Sequence, residues 1–178
     1  MDKIHFKKLL FNVAFCAMAC DGHIDEREIK EIKFMDKHTS YFEDIDLSSD
    51  LNILLEELKE RGKRVLDELF EKLEKSDLNT IRELLILEVA LRIVNADNKL
   101  EENEINYIKM VRSKLKLHDE IIRDRFGVID YLVNTDYSRN INTGLPDFSK
   151  IENVHFQELE SSIRDKISSV SQYEEKEE

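Results

Sequence analysis

The sequence predicts an all-α fold: a single helical domain of two pseudo-symmetric helix-turn-helix hairpins, with linking helices and a C-terminal helical extension. Three observations lead there. One proline and four glycines are too few for a turn-rich β sandwich, while abundant Leu, Ile, Glu and Lys favour helices. Apolar residues recur at three- and four-residue steps. One stretch is also written twice. Residues 17–35 read AMACDGHIDEREIKEIKFM and residues 95–111 read NADNKLEENEINYIKMV, offset by 97 − 21 = 76. At that offset Asp21 meets Asp97, Glu26 meets Glu102, Glu28 meets Glu104, Ile29 meets Ile105, Ile32 meets Ile108 and Lys33 meets Lys109. Gly22 answers Asn98, Ile24 answers Leu100 and Asp25 answers Glu101. Val13-Ala14 answers Val89-Ala90.

Taken in order, Ile4, Leu9, Val13, Cys16, Ala17 and Cys20 predict a first helix over residues 2–20. Leu10, Phe11, Ala14 and Phe15 widen its stripe, so it belongs in the centre. Asp21-Gly22 breaks it, with glycine suited to a left-handed helix end. Asp25 opens the second helix, because Asp25 and Glu28 fit a capping box. Ile29, Ile32 and Phe34 or Met35 carry it to about His38. Residues 40–46 read as a loop. Ser48-Ser49-Asp50 reads as the next cap. Leu51, Leu54, Leu55 and Leu58 form one stripe, and Val65, Leu66, Leu69, Phe70 and Leu73 another. Gly62 between them marks a bend or a break.

Asp77 reads as the cap of a helix over 78–95, the second mostly buried one, through Ile81, Leu84, Leu85, Leu87, Val89, Ala90, Leu91, Ile93 and Val94. Asp97-Asn98-Lys99 turns the chain, with Asn98 as the left-handed residue. Residues 101–115 form the second amphipathic helix, with Ile105, Ile108, Val111 and Leu115 on one face. A short helix over 118–126 ends at Gly127. The sequence thus divides into a helical domain, 1–127, and an extension, 128–178. The extension holds Gly144 and Pro146, then a helical stripe (Val154, Leu159, Ile163, Ile167, Val170), then an acidic end at 173–178 expected to be disordered.

At DGHIDEREIKEI and its echo DNKLEENEINYI the chain resembles the TerB-like family. That family includes the tellurite-resistance TerB proteins and the N-terminal region of the membrane-anchored co-chaperone DjlA. The match covers roughly residues 4–126 and rests on an Ala-rich helix followed by Asp-Gly-x-φ-Asp/Glu-x-x-Glu, twice in order. The resemblance implies an all-helical pseudo-symmetric domain with a non-catalytic role in stress or defence, and divalent metal as a candidate modulator. The second turn departs from the pattern: Asn98 stands where Gly is common, and Glu101 where the first turn has Asp25. No His-Pro-Asp signature of a J domain is present.

Charge narrows the function classes. Against 27 Lys and Arg stand 39 Asp and Glu, a net charge of −12. An overall basic footprint for nucleic acid is missing, and an anionic bilayer repels such a chain on average. Neither a secretory signal nor a stretch of about 20 apolar residues appears. Two cysteines make no disulfide framework, which suits a reducing cytoplasm.

The acidic turns are the candidate metal site: Asp21, Asp25 and Glu28 with Asp97, Glu101 and Glu104. The first three are spaced like the latter half of an EF-hand loop, but the earlier oxygen positions hold Ala17 and Ala19, and in the second copy Ile93 and Asn95. A hard cation, Ca²⁺, Mg²⁺ or Mn²⁺, would need further oxygens from water or the other turn. The competing and simpler reading is local: Asp21 ends one helix while Asp25 and Glu28 cap the next. Cys16, Cys20 and His23 lack a fourth zinc ligand and read as buried core cysteines with a neighbouring histidine. Glu152 and His155 form one E-x-x-H where di-iron bundles need two. Lys109, Arg112, Lys114 and Lys116 read as a solvated helix face, with an anionic partner as the alternative. No phosphate loop, nucleophile elbow or H-E-x-x-H occurs. The expectation is a cytoplasmic, non-enzymatic module that binds a protein partner, including a membrane-associated complex, without nucleic acid or membrane insertion. The alternative is a divalent-cation binder or sensor.

Overall fold

A helix apolar on nearly every side must be surrounded, and α1 (Lys3–Ala19) is. Between Leu9 and Cys20 only Asn12 is not fully buried. The computed structural model describes residues 1–20 and 26–132, and every regular element among them is helical. After α1 come α2 (Glu26–His38), α3 (Leu47–Arg61), α4 (Arg64–Lys75), α5 (Thr80–Val94), α6 (Glu102–Lys114) and α7 (Asp119–Phe126). A 3₁₀ turn, Asp130–Leu132, follows. The Asp21-Gly22 turn, the Asp25 cap, the E-x-x-H, the stripe from Val154 to Val170 and the acidic end lie outside the described residues.

The second mostly apolar helix, α5, packs on α1 more extensively than any other pair. α3, α4 and α6 also contact α1, and α2 and α6 contact α5. The two helices expected to be central are therefore central, and against each other. Arg82 marks one end of this pair: its guanidinium donates to the Met1 carbonyl at 2.7 Å and lies 4.9 Å over the Phe6 ring. The N-termini of α1 and α5 thus sit together. Tyr107 of α6 fills the interior, fully buried, with its hydroxyl donating to the Val13 carbonyl at 2.8 Å. Phe70 packs at 5.9 Å from its ring, and Phe11 meets Phe42 edge-on at 5.7 Å.

Element boundaries follow the repeat. Shifted by 76 residues, Glu102–Lys114 falls on Glu26–His38, and Thr80–Val94 falls inside Lys3–Ala19. Val13 and Val89, Ile32 and Ile108, Met35 and Val111, and Glu28 and Glu104 are buried in both copies. One matched pair is charge-reversed. Buried Lys7 of α1 donates to the Glu43 carbonyl at 2.6 Å and pairs with the Asp44 carboxylate at 3.3 Å. Buried Glu83 of α5 accepts the Lys116 amide at 3.1 Å. Each ties a central helix to the loop that follows its amphipathic helix.

Three local expectations are corrected. α3 is capped by Asp46, whose side chain accepts from the Ser49 amide at 3.1 Å, rather than by Ser48-Ser49-Asp50. Asp50 instead faces α1, where Lys8 donates to it at 2.7 Å. α5 is capped by Asn79, which accepts from the Arg82 amide at 2.9 Å, rather than by Asp77. In both cases a short oxygen one residue before the helix reaches the third helical amide, which fixes the start. Ile4 and Ile81, counted as core by period, are 50% and 69% exposed. They lie in the first turns, at the ends of the central pair. Gly62 proves to be a break: at φ +54° it ends α3 and its amide donates to the Leu58 carbonyl. Gly127, at φ +77°, ends α7. Past it the chain still packs, with Ile129 and Tyr131 against the core and Leu132 buried. No described helix is long and apolar enough to cross a membrane.

Candidate functional site

Asn95 ends α5, and the turn beyond it is held by its own polar atoms. Asn98 adopts φ +59° and its amide donates to the Asn95 carbonyl at 3.3 Å. The Asp97 carboxylate takes the Lys99 amide at 2.7 Å. Glu101 is the N-cap of α6, and Glu104 completes a capping box by accepting the Glu101 amide at 2.7 Å. The second turn therefore engages all three of its candidate acids locally. Its glutamates satisfy amides that a helix start would leave unpaired. Glu28 holds the matching place in α2 and is equally buried.

One side chain ties the start of α2 to the second acidic turn. Arg27, in the first turn of α2, donates to the Asp97 carbonyl at 2.8 Å, and its guanidinium lies 3.7 Å from the Asp97 carboxylate. The start of α2 therefore stands beside the second acidic turn. Asp21 and Asp25 themselves, with His23, lie outside the described residues. Among the described residues no group of three or more His, Cys, Asp or Glu side chains is placed to hold a metal ion. A cation at Asp97 would compete with a guanidinium already there, an opposite charge close enough to matter.

The cationic cluster on α6 is a correction. Arg112 is buried, not part of a solvated face. It donates to the Leu117 carbonyl at 2.6 Å, the Leu115 carbonyl at 3.3 Å and the Asp119 carboxylate at 2.9 Å, which folds the chain after α6 back towards α7. Lys114 pairs with Glu74 of α4 at 3.1 Å. Only the charge count was visible in the sequence; two of the three Arg112 acceptors are carbonyls, which every residue has.

Cys16 and Cys20 are buried thiols outside any disulfide, as the apolar stripe requires. Burial pushes the Cys16 thiol up to about 12, so it stays protonated and unreactive at neutral pH. Cys20 donates to the Ala17 carbonyl at 3.0 Å. Burial likewise holds the Tyr107 phenol neutral, well above its ordinary range.

One surface feature among the described residues was not expected from the sequence. A groove of ≈ 610 Å³ runs along α5, the turn after it and the segment after α7. Leu91, Leu100, Phe126, Val128, Ile129 and Tyr131 supply its apolar wall. Glu88, Arg92, Asn95 and Asp130 supply its polar one. Leu100 is 40% exposed and Val128 68%. Arg92 donates to Glu31 at 2.6 Å and lies 5.7 Å over the ring of Phe34, itself half-exposed. Glu88 accepts from the Tyr41 hydroxyl at 2.8 Å and from Arg125 at 2.6 Å. Burial, then Glu88, raises the Tyr41 phenol. The one signal in the sequence was apolar residues in turns, Leu100 and Val128, where periodicity has no say. Comparison with family models, curated proteins and solved structures finds no match for the chain.

Proposed function

We propose that the chain is a non-enzymatic interaction module of the TerB-like kind, an adaptor in a cytoplasmic stress-response or tellurite-type defence complex. The observation that carries this reading is the groove, with Leu100 and Val128 exposed on its wall. Exposed apolar residues gathered along one concavity favour a partner that removes them from water. The buried charges support the same reading, because Arg112, Glu83, Lys7 and Glu104 are bonded to caps and loops. The partner is a protein, in solution or in a membrane-associated complex. In the test, the full chain is immobilised and exposed to extract of its native cell, beside a Leu100→Asp, Val128→Asp variant. A specific protein retained by the first and lost by the second is expected. Equal retention by both, or none by either, overturns the reading.

The second reading is a divalent-cation binder that uses Asp21, Asp25 and Glu28 with Asp97, Glu101 and Glu104. The Arg27 bond to Asp97, which brings the start of α2 to the second turn, supports it. Calorimetric titration of chelator-treated protein with Ca²⁺, Mg²⁺ and Mn²⁺ decides it. Flat heats for all three at millimolar metal end it.

A further inference from the structure

The groove has a wall made by the chain's own exit. Val128, Ile129 and Tyr131 line it, and the described residues end one position later, at Leu132. The 46 residues beyond, 133–178, therefore start at the groove itself. Among them Leu159, Ile163, Ile167 and Val170 recur at four-, four- and three-residue steps, with Val154 and Phe156 ahead of them. We propose that this stripe occupies the groove in the free chain, covering the exposed side chains of Leu100 and Val128.

Reach and concentration both favour an internal occupant. The 21 residues from 133 to 153 span at most about 70 Å when extended. That is far more than a groove beginning at residue 128 demands. A short tether also holds a segment at an effective concentration in the millimolar range, roughly, which a free partner rarely matches. Chemistry agrees: an apolar stripe at helical spacing seeks an apolar surface, and the groove wall offers Leu91, Leu100, Phe126 and Ile129. The inference rests on the groove as the binding face and adds its regulation. A partner must displace the C-terminal segment to dock.

The test uses engineered cysteines in the full chain, since buried Cys16 and Cys20 stay silent. Leu100→Cys is combined in turn with Leu159→Cys, Ile163→Cys and Ile167→Cys, which covers the register a disulfide demands. Ile53→Cys with Ile163→Cys is the control, because Ile53 is exposed on α3, away from the groove lining. Thermal melting of the reduced variants confirms that each is folded. Under oxidised glutathione, at least one Leu100→Cys pair should close within the monomer about tenfold faster than the control, read by non-reducing gels and peptide mass spectrometry. Equal closure, no closure, or a covalent dimer (the mark of a second copy in the groove) overturns the proposal. Failure to close beside groove-dependent capture of a partner removes self-coverage alone. Closure without any captured partner leaves self-coverage standing and removes the adaptor.

Discussion

Arg112 stands at the point where the chain leaves α6, and its buried guanidinium gathers two carbonyls and a carboxylate. Bonds to a charged donor are worth more than neutral ones, and buried acceptors left behind carry a desolvation cost. Arg112→Ala should cost about 2–3 kcal/mol in urea denaturation. Arg112→Lys should recover only part, because an ammonium lacks the planar fork. Cys16 gives a pH signature. Its thiol is raised from 9.0 to about 12 in the fold, so the folded chain retains a proton that the unfolded chain sheds. Stability is then fully present below about pH 9 and falls as pH rises towards 12, with a slope near 1.4 kcal/mol per pH unit for this one group. Denaturation midpoints across pH 8–11 should decline accordingly, and Cys16→Ala should flatten part of that decline. Both residues were noted in the sequence, Cys16 correctly as core and Arg112 wrongly as surface. A thiol on an apolar stripe has one sensible place, whereas a guanidinium has two.

The caps decide where helices begin. Asp46→Ala should lower stability by about 1 kcal/mol, a usual cap loss, while Asp77→Ala should change it little. A thermal denaturation series separates the two. Asn98 is the other local control point. At φ +59° Asn98→Ala should cost about 1 kcal/mol, because alanine lacks the short polar side chain that lets asparagine tolerate the left-handed region, and Asn98→Gly, which removes the Cβ, should be nearly neutral. Among the described residues helix existence was legible because the apolar period repeats over several turns. The starts of α3 and α5 were less so, since Asp46, Ser48, Ser49 and Asp50, or Asp77 and Asn79, all carry a suitable oxygen. Period cannot choose among them; the path of the loop does.

Across the whole molecule, the two halves meet along α1 and α5, with Arg82 at one end and Arg27 at the other. Arg27→Ala removes a partly exposed ion pair and one bond to the Asp97 carbonyl. It should cost roughly 1 kcal/mol or less, as surface pairs do. On the cation reading the same change removes a competing positive charge, so added Ca²⁺ or Mg²⁺ should raise the melting temperature more in the variant than in the native chain. An equal or smaller rise counts against metal at Asp97. The candidate acids were legible by repeat and spacing. Their engagement was not, because Arg27 reaches Asp97 across 70 residues of sequence.

The sequence by itself determined the helical class, the 76-residue repeat, the two central helices and the turn residues Asn98 and Gly127, because each follows from local period or from backbone sterics. Only the tertiary structure decided that α1 and α5 face each other, that Arg112 points inward, that the second turn's acids serve the backbone and Arg27, and that Leu100 and Val128 share a groove. Those outcomes depend on which surfaces meet, and residues far apart in the chain carry no mark of their neighbours until burial brings them together.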